Sequence, residues 1–166
     1  MYKLSKERIA HLNTHFVNSE DVGSVFYKNV FASPFELLNY INSNSPNEII
    51  IQLNGRETHV FNCEQIGGIG NTGIANRKEV DFNSIIKENR NGFMVDVALI
   101  SVLQVTNTFC VVIEKDGADL DIITAFPGPY APPFPYKAQN EVDYKLSEIF
   151  WNTHVLLRLT HPDFER

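Results

Sequence analysis

The stretch TFCVVIEKDGADLDIITAF, residues 108–126, places two β-branched apolar runs on either side of Asp116-Gly117. Such runs predict strands, and the Asp-Gly pair between them predicts a tight hairpin turn. A longer apolar run, FMVDVALISVLQV, precedes them and predicts a third strand. We therefore expect three adjacent antiparallel strands in the second half of the chain.

A second hairpin is predicted upstream of this group. The run from Glu48 to Leu53 is rich in isoleucine, Asn54-Gly55 follows it, and ETHVFNC, residues 57–63, supplies the returning strand. Because side chains alternate between the two faces of a strand, His59 and Phe61 share one face. The other face carries Thr58, Val60 and Asn62.

Two helices are expected before this hairpin. Leu4 to Phe16 has apolar residues near helical spacing. SPFELLNYINS begins with Ser33 as N-cap, Pro34 at the first helical position and Glu36 at the third, which is a capping box.

Two further helices are predicted later in the chain. One runs from about Asp81 to Asn89 and is closed by Asn91-Gly92. The other is an amphipathic closing helix, which follows the proline-rich stretch PGPYAPPFPY. Its expected core-facing stripe is Val142, Leu146, Ile149, Phe150 and Leu157.

This order of elements predicts an α+β fold, with N-terminal helices, a mostly antiparallel β-sheet and a closing C-terminal helix. A chain of 166 residues is expected to form a single domain, 1–166. The helical N-terminal part is expected to span 1–47, the sheet-containing core 48–137 and the closing helix 138–160.

The net charge of −6 disfavours a protein whose main role is to hold nucleic acid, so any nucleic-acid contact must be local and transient. No apolar run approaches the ~20 residues of a membrane helix. The start, MYKLSKERIAHLNTHF, lacks the pattern of a signal peptide. We expect a cytoplasmic protein with no membrane partner, or one delivered into a target cell without a cleavable signal.

No metal site or cofactor site is predicted. Cys63 and Cys110 lie in apolar runs and are expected to be buried, reduced thiols. The stretch GIGNTG lacks the Gly-Lys-Ser/Thr ending of a P-loop and does not belong to a βαβ unit. No pair of carboxylates suggests a glycosidase.

Four of the five histidines favour structural roles. His11 and His15 lie four residues apart but have no third metal ligand near them in sequence. His154 is expected to pack near Trp151, and His161 lies in the terminal tail.

His59 differs because its strand enters a glycine-rich loop, residues 66–76. The backbone N–H groups of such a loop can approach a ligand closely. Gly70, Asn71 and Thr72 are therefore candidate substrate-binding residues, and His59 is the candidate acid or base.

Two short motifs resemble a known family. HVFNCE, residues 59–64, resembles the His-Val-Phe-x-x-Glu run that carries the first catalytic histidine of EndoU-type endoribonucleases. DIITAFPG, residues 121–128, resembles a sheet segment of bacterial toxin nucleases in the wider barnase–EndoU–colicin–RelE (BECR) grouping, in which such a strand contributes a hydroxyl to the active site. The resemblance covers roughly Ile50 to Tyr136.

One position departs from the family pattern. EndoU enzymes carry a second histidine about a dozen residues after the first, and Asn71 stands there in this chain. Asparagine cannot transfer a proton. Either Arg77, Lys78 or His154 serves instead, or the chain is a degenerate member.

The resemblance implies metal-independent RNA cleavage, in which the 2′-OH attacks the phosphate and leaves a 2′,3′-cyclic phosphate. It makes His59 the general acid or base and makes Arg77 or Lys78 the cation that stabilises the phosphorane. Thr124 would bond a phosphate oxygen or orient His59.

The partner implied is RNA, bound transiently, and the existence of a neutralising protein partner is left open. Tyr130 or Tyr136 would stack on an exposed base. In a ribonuclease, His59, Thr124 and a basic side chain should converge on one phosphate-sized spot in a cleft.

Two other function classes fit the same residues. A non-catalytic protein-interaction or immunity-like module that keeps the fold is favoured by the acidic charge and the missing second histidine. A small-molecule-binding protein would use the glycine-rich loop and the aromatic residues near the prolines.

Overall fold

The computed structural model describes residues 1–16, 24–52, 55–65, 67–102 and 104–160. These residues form three α-helices, α1 (Lys6–Asn13), α2 (Pro34–Ser43) and α3 (Glu141–Thr153). The twelve strands are β1 (Tyr2–Lys3), β2 (Val25–Phe26), β3 (Glu48–Ile51), β4 (Glu57–Asn62), β5 (Gly70–Asn71), β6 (Ile74–Asn76), β7 (Ile85–Arg90), β8 (Phe93–Ile100), β9 (Val105–Thr106), β10 (Thr108–Asp116), β11 (Asp119–Pro127) and β12 (His154–Leu159).

The described strands form three sheets. The central sheet has the order β1-β11-β10-β4-β3, the lateral sheet β6-β12-β8-β7 and the small sheet β2-β5-β9. The pairs β1–β11 and β8–β12 are parallel, and the other pairs are antiparallel. The α+β class is confirmed, while the division of the domain at 47 and 137 stays a prediction.

Helices α1 and α2 pack on one face of the central sheet, which we call the helix face. Phe61, Phe109 and Val111 on this face join Leu12 of α1 and Leu37 of α2 in the main core. The Phe61 and Phe109 rings are stacked, with centroids 5.0 Å apart. The burial of this aromatic and aliphatic surface holds the helices to the sheet.

Helix α2 begins at the predicted capping box. The Ser33 hydroxyl accepts a hydrogen bond from the Glu36 N–H at 3.4 Å, and the Glu36 carboxylate accepts one from the Ala32 N–H at 2.9 Å. Pro34 occupies the first helical position, where its missing N–H costs no hydrogen bond.

Both predicted hairpins are present. Strands β10 and β11 pair antiparallel around Asp116-Gly117, and Gly117 has a φ of +60°. Strands β3 and β4 also pair antiparallel, although Asn54 lies outside the described residues. Cys63 and Cys110 are buried free thiols as predicted, and burial raises the pKa of Cys110 to about 12.

The helix predicted at 81–89 was wrong. After a 3-10 turn at Phe82–Ser84, the chain forms β7, which pairs antiparallel with β8. The turn between them is Asn91-Gly92, with φ angles of +51° and +84°. An Asn-Gly pair with positive φ at both residues favours a hairpin, and the isoleucines at 85 and 86 favour a strand.

The expected neighbourhood of β8 was also wrong. The run from Phe93 to Val105 divides between β8 in the lateral sheet and β9 in the small sheet, so β8 does not pair with β10. A run of that length exceeds a usual strand.

The closing helix is shorter than predicted and presents a different side to the protein. It ends at Thr153, and the chain continues as β12, parallel to β8. It buries Ser147 and Trp151. Most of the predicted core-facing stripe instead faces solvent, with Val142, Leu146 and Ile149 exposed by 54%, 58% and 64%. None of the described helices has the length and hydropathy of a membrane span.

Candidate functional site

His59 lies on the helix face and is only 4% exposed. The Tyr2 hydroxyl lies 2.5 Å from its Nδ1, and a Glu57 carboxylate oxygen lies 2.8 Å from its Nε2. Because an ionised carboxylate only accepts hydrogen bonds, Nε2–H donates to Glu57 and Nδ1 accepts from Tyr2. Lys115 Nζ lies 2.5 Å from the second Glu57 oxygen. We call Tyr2, His59, Glu57 and Lys115 the polar row.

The pKa shifts of Glu57 and Tyr2 agree with this hydrogen-bond pattern. The hydrogen bond from His59 holds the pKa of Glu57 below its ordinary value, and Lys115 adds to the effect. Burial raises the pKa of Tyr2, and the Glu57 charge adds to that rise. Asn42 of α2 holds the Tyr2 backbone, since the Tyr2 N–H donates to its side chain at 2.9 Å and its amide donates to the Tyr2 carbonyl at 3.1 Å. Since Nδ1 accepts from Tyr2 and Nε2–H donates to Glu57, both ring nitrogens of His59 are engaged within the protein.

His59 and Thr124 lie on opposite faces of the central sheet. The register aligns His59 with Val111 on β10 and Val111 with Ala125 on β11. Thr124, one residue earlier, belongs to the alternate row of side chains. Its buried hydroxyl has no hydrogen-bond partner among the described residues. The predicted meeting of His59 and Thr124 is therefore not present.

Arg77 and Lys78 lie in a 3-10 turn, Arg77–Glu79, that follows β6 of the lateral sheet. The Arg77 guanidinium pairs with the buried Asp96 carboxylate, which also accepts from Lys87 at 2.9 Å. Lys78 is exposed. Arg77 is therefore committed to an internal ion pair, and neither cation is among the hydrogen-bond partners of His59.

The glycine-rich loop is packed into the small sheet. Gly70 and Asn71 form β5, which pairs with β2 on one side and β9 on the other. A Cβ at Gly70 would lie 2.5 Å from the Val25 carbonyl oxygen, so the close approach of the strands requires glycine. Asn71 is buried and accepts a hydrogen bond from the Tyr27 hydroxyl.

The backbone of this loop is also engaged. The Thr72 N–H donates to the Gln104 carbonyl at 2.9 Å, and the Ile69 N–H donates to Thr106 at 2.9 Å. The Thr72 hydroxyl donates to the Ile74 carbonyl at 3.0 Å. These groups hold the small sheet together, and they are not presented to a ligand as the sequence suggested.

A groove of about 360 Å³ lies on the other side of the central sheet, between the end of β3 and α3. We call it the β3–α3 groove. Its lining includes residues 50–52, Tyr130, 132–134, Lys137, Leu146 and Phe150. Ile50 pairs with Thr58 and so shares its face, opposite to His59. The groove therefore contains one predicted site residue, Tyr130, and excludes His59.

The buried side of α3 holds the proline-rich wall of the groove in place. The Trp151 indole N–H donates to the Pro132 carbonyl at 3.2 Å, and the Ser147 hydroxyl donates to Pro133 at 2.5 Å. Gln52 Nε2 donates to the Tyr130 hydroxyl at 3.4 Å. These bonds explain why Ser147 and Trp151, rather than the apolar stripe, face the protein.

Tyr136 packs within this wall rather than standing free. Its ring stacks on Phe134 at 5.9 Å, and Phe134 contacts Trp151 at 4.5 Å. Lys137 Nζ lies 5.9 Å from the Tyr136 ring centroid.

The remaining histidines do not form a metal site in the described part of the chain. The His11 and His15 rings lie 6.1 Å apart, and burial lowers the pKa of His15. No group of three metal-binding side chains is present among the described residues. His154 begins β12 and stacks on Phe150 at 3.8 Å, while His161 lies outside the described residues.

Comparison with known proteins gives no functional assignment. No family model matches the chain, and no curated protein matches it. A conserved hypothetical protein from Toxoplasma gondii ME49, known from its crystal structure, is similar at 12% identity, with a TM-score of 0.46. The match covers 87% of this chain and 98% of that chain. The resemblance to EndoU enzymes therefore stays a prediction.

Proposed function

We propose that this protein is a non-catalytic protein-interaction module, and that its binding surface is the β3–α3 groove together with the exposed stripe of α3. The observation that carries the proposal is the stripe itself. Val142, Leu146 and Ile149 face solvent, while the groove beside them is lined by Phe134 and Phe150. An exposed apolar patch next to a groove is typical of a protein-binding surface.

The composition of the groove indicates what kind of ligand it would bind. Aromatic, proline and aliphatic side chains form most of its lining, and the wall is fixed by hydrogen bonds from Ser147 and Trp151. A fixed apolar wall lowers the entropy cost of binding because little has to be ordered. Apolar side chains of another protein are the ligands that such a wall favours.

A ribonuclease would need a different arrangement. His59 is buried with both nitrogens hydrogen-bonded, and Thr124 lies on the opposite face of the sheet. We therefore expect no RNA cleavage when the chain is incubated with mixed RNA in EDTA. Cleavage that leaves cyclic phosphate ends and is lost in His59→Gln would contradict the proposed function and restore the enzyme hypothesis.

Peptide selection tests the proposed function directly. Short random peptides displayed on phage would be selected on the immobilised full chain, and the winners would be synthesised for fluorescence anisotropy. We expect Leu146→Lys to weaken their binding by about tenfold or more, since a charge would enter an apolar contact. Phe82→Lys is the matched control because Phe82 is equally apolar, is 79% exposed and does not line the groove. Selection of no peptide, or equal losses in both variants, would contradict the proposal.

A further inference from the structure

The outer edge of β3 carries backbone groups that no other described strand pairs with. Strand β3 is the last strand of the central sheet, and it pairs only with β4 among the described strands. The Gln52 N–H donates to the Arg56 carbonyl at 2.8 Å. Because backbone bonds alternate along an antiparallel pair, Ile50 also faces β4, whereas the N–H and C=O groups of Ile49 and Ile51 face outward.

This edge borders the β3–α3 groove. Ile50 and Gln52 line the groove from the strand, and Leu146 and Phe150 line it from the helix. An extended chain beside β3 would direct every second side chain to the face of Ile50 and therefore into the groove. The remaining side chains would lie beside Ile51, which is 76% exposed and also borders the groove.

The lining of the groove includes a cation, Lys137, that can pair with an acidic group on the ligand. Lys137 lines the groove, is exposed and has no ion-pair partner in the part of the chain that the structure describes. Asp143, the carboxylate in the lining, already accepts a hydrogen bond from the Asn140 side chain at 2.7 Å. Asp143 keeps its charge in the first turn of α3, where the helix dipole stabilises a carboxylate, so Lys137 is left available to pair with a carboxylate of the ligand.

A second copy of the chain fits this groove poorly. If two β3 strands paired across a two-fold axis, the face of the incoming strand on the groove side would carry Glu48, Ile50 and Gln52. Glu48 could pair with Lys137, but two of these three side chains are polar and only Ile50 would offer an apolar side chain to a mainly apolar groove. The groove instead matches a strand with apolar residues at alternate positions.

Resting on the proposed function, we propose that the partner is an extended segment of another protein that adds as a strand to the outer edge of β3. Its alternate apolar side chains enter the β3–α3 groove, and an acidic residue or its terminal carboxylate pairs with Lys137. Main-chain hydrogen bonds to Ile49 and Ile51 hold its register, and the groove selects its side chains.

Backbone chemistry separates strand addition from other ways of filling the groove. The probe is a peptide selected as above, synthesised with one N-methyl group at each position in turn. We expect losses of about five- to tenfold at alternate positions only, because only those N–H groups donate to β3. In the protein, Ile51→Pro removes one outward N–H and keeps the hydrogen bonds to β4. It should weaken peptide binding by a similar factor. Because Ile51 also borders the groove, the control is Ile51→Ala, which shortens the same side chain but keeps the N–H and should weaken binding clearly less than Ile51→Pro.

Each outcome decides between the two proposals. Alternating losses together with weak binding by Ile51→Pro support strand addition. Strand addition is overturned if the N-methyl losses do not alternate and Ile51→Pro binds normally. If binding is then still weakened by Leu146→Lys, the proposed function stands. A dimer in light scattering that Ile51→Pro dissociates would make a second copy the occupant and overturn the choice of partner. Binding that is unaffected by Lys137→Gln would overturn the acidic contact.

Discussion

The polar row on the helix face and the β3–α3 groove on the opposite side of the sheet differ in how many of their groups have a partner within the protein. On the helix face, a tyrosine, a histidine and a glutamate are buried, and each satisfies another within the polar row. At the β3–α3 groove, apolar side chains and backbone groups are left without partners from the described chain. The polar row, which carries the chemically reactive residues, is thus closed within the protein, whereas the β3–α3 groove with its mainly apolar lining is open to solvent. The reactivity of a residue type therefore says less about function than whether its contacts are already complete.

The largest effect on stability is expected from substitutions in the polar row. His59→Ala would leave the Tyr2 hydroxyl and the Glu57 carboxylate without their shared partner and would open a cavity beside Val111. We expect a loss of about 3 kcal/mol in the free energy of unfolding, measured by urea denaturation. Tyr2→Phe removes one hydrogen bond and keeps the ring, so it should cost about 1 kcal/mol. A cost below about 1 kcal/mol for His59→Ala would mean that the polar row does not stabilise the fold.

The second effect compares two adjacent cations. Arg77→Met would leave the buried Asp96 with Lys87 alone, and we expect it to lower the free energy of unfolding by about 2 kcal/mol. Lys78→Met changes an exposed side chain and should stay within about 0.5 kcal/mol. Thermal and urea unfolding of both variants would measure the difference. Equal effects of the two substitutions would contradict a structural role specific to Arg77.

The third effect is the pH dependence of the polar row. Glu57 has a folded-state pKa below its ordinary value of 4.5, so its contribution is fully present above that value and is lost as the pH falls through the lower folded pKa. At pH 7, Glu57→Gln should be less stable than the wild type by about 1–2 kcal/mol. The difference should shrink steadily in unfolding experiments below about pH 4.5. A difference that stays constant down to pH 3 would show that the charge of Glu57 contributes nothing.

Local sequence signals account for much of this fold. The turns at Asp116-Gly117 and Gly55 and the cap at Ser33 depend on neighbouring residues, and the hairpins and helix start were correct. Asn91-Gly92 carried the same kind of signal, but it was assigned to the wrong element because positive φ suits both a helix end and a hairpin turn.

Contacts distant in sequence were beyond the reach of such signals. Tyr2 is hydrogen-bonded to His59, which lies 57 residues later in the sequence, and no local pattern predicts that contact. One sheet partner of β8 is β12, and the apolar periodicity had predicted that this segment is part of the closing helix. Strand parity did separate Thr58 from His59, but the register of β10 and β11 was needed to place Thr124 on the far side.

The smallest effect on stability is expected from a substitution in the exposed stripe of α3, and it tests which side of that helix faces the protein. Apolar periodicity predicted that Leu146 faces the core, yet Ser147 and Trp151 occupy that side because they donate to the proline carbonyls. If Leu146 faces solvent, Leu146→Lys should change the free energy of unfolding by less than about 0.5 kcal/mol while it weakens peptide binding by about tenfold or more. If Leu146 faced the core, the buried ammonium would cost several kcal/mol and binding would be lost only through unfolding. Circular dichroism melts of Leu146→Lys and of Ser147→Ala, which removes a buried bond, therefore show which side of the helix faces the protein.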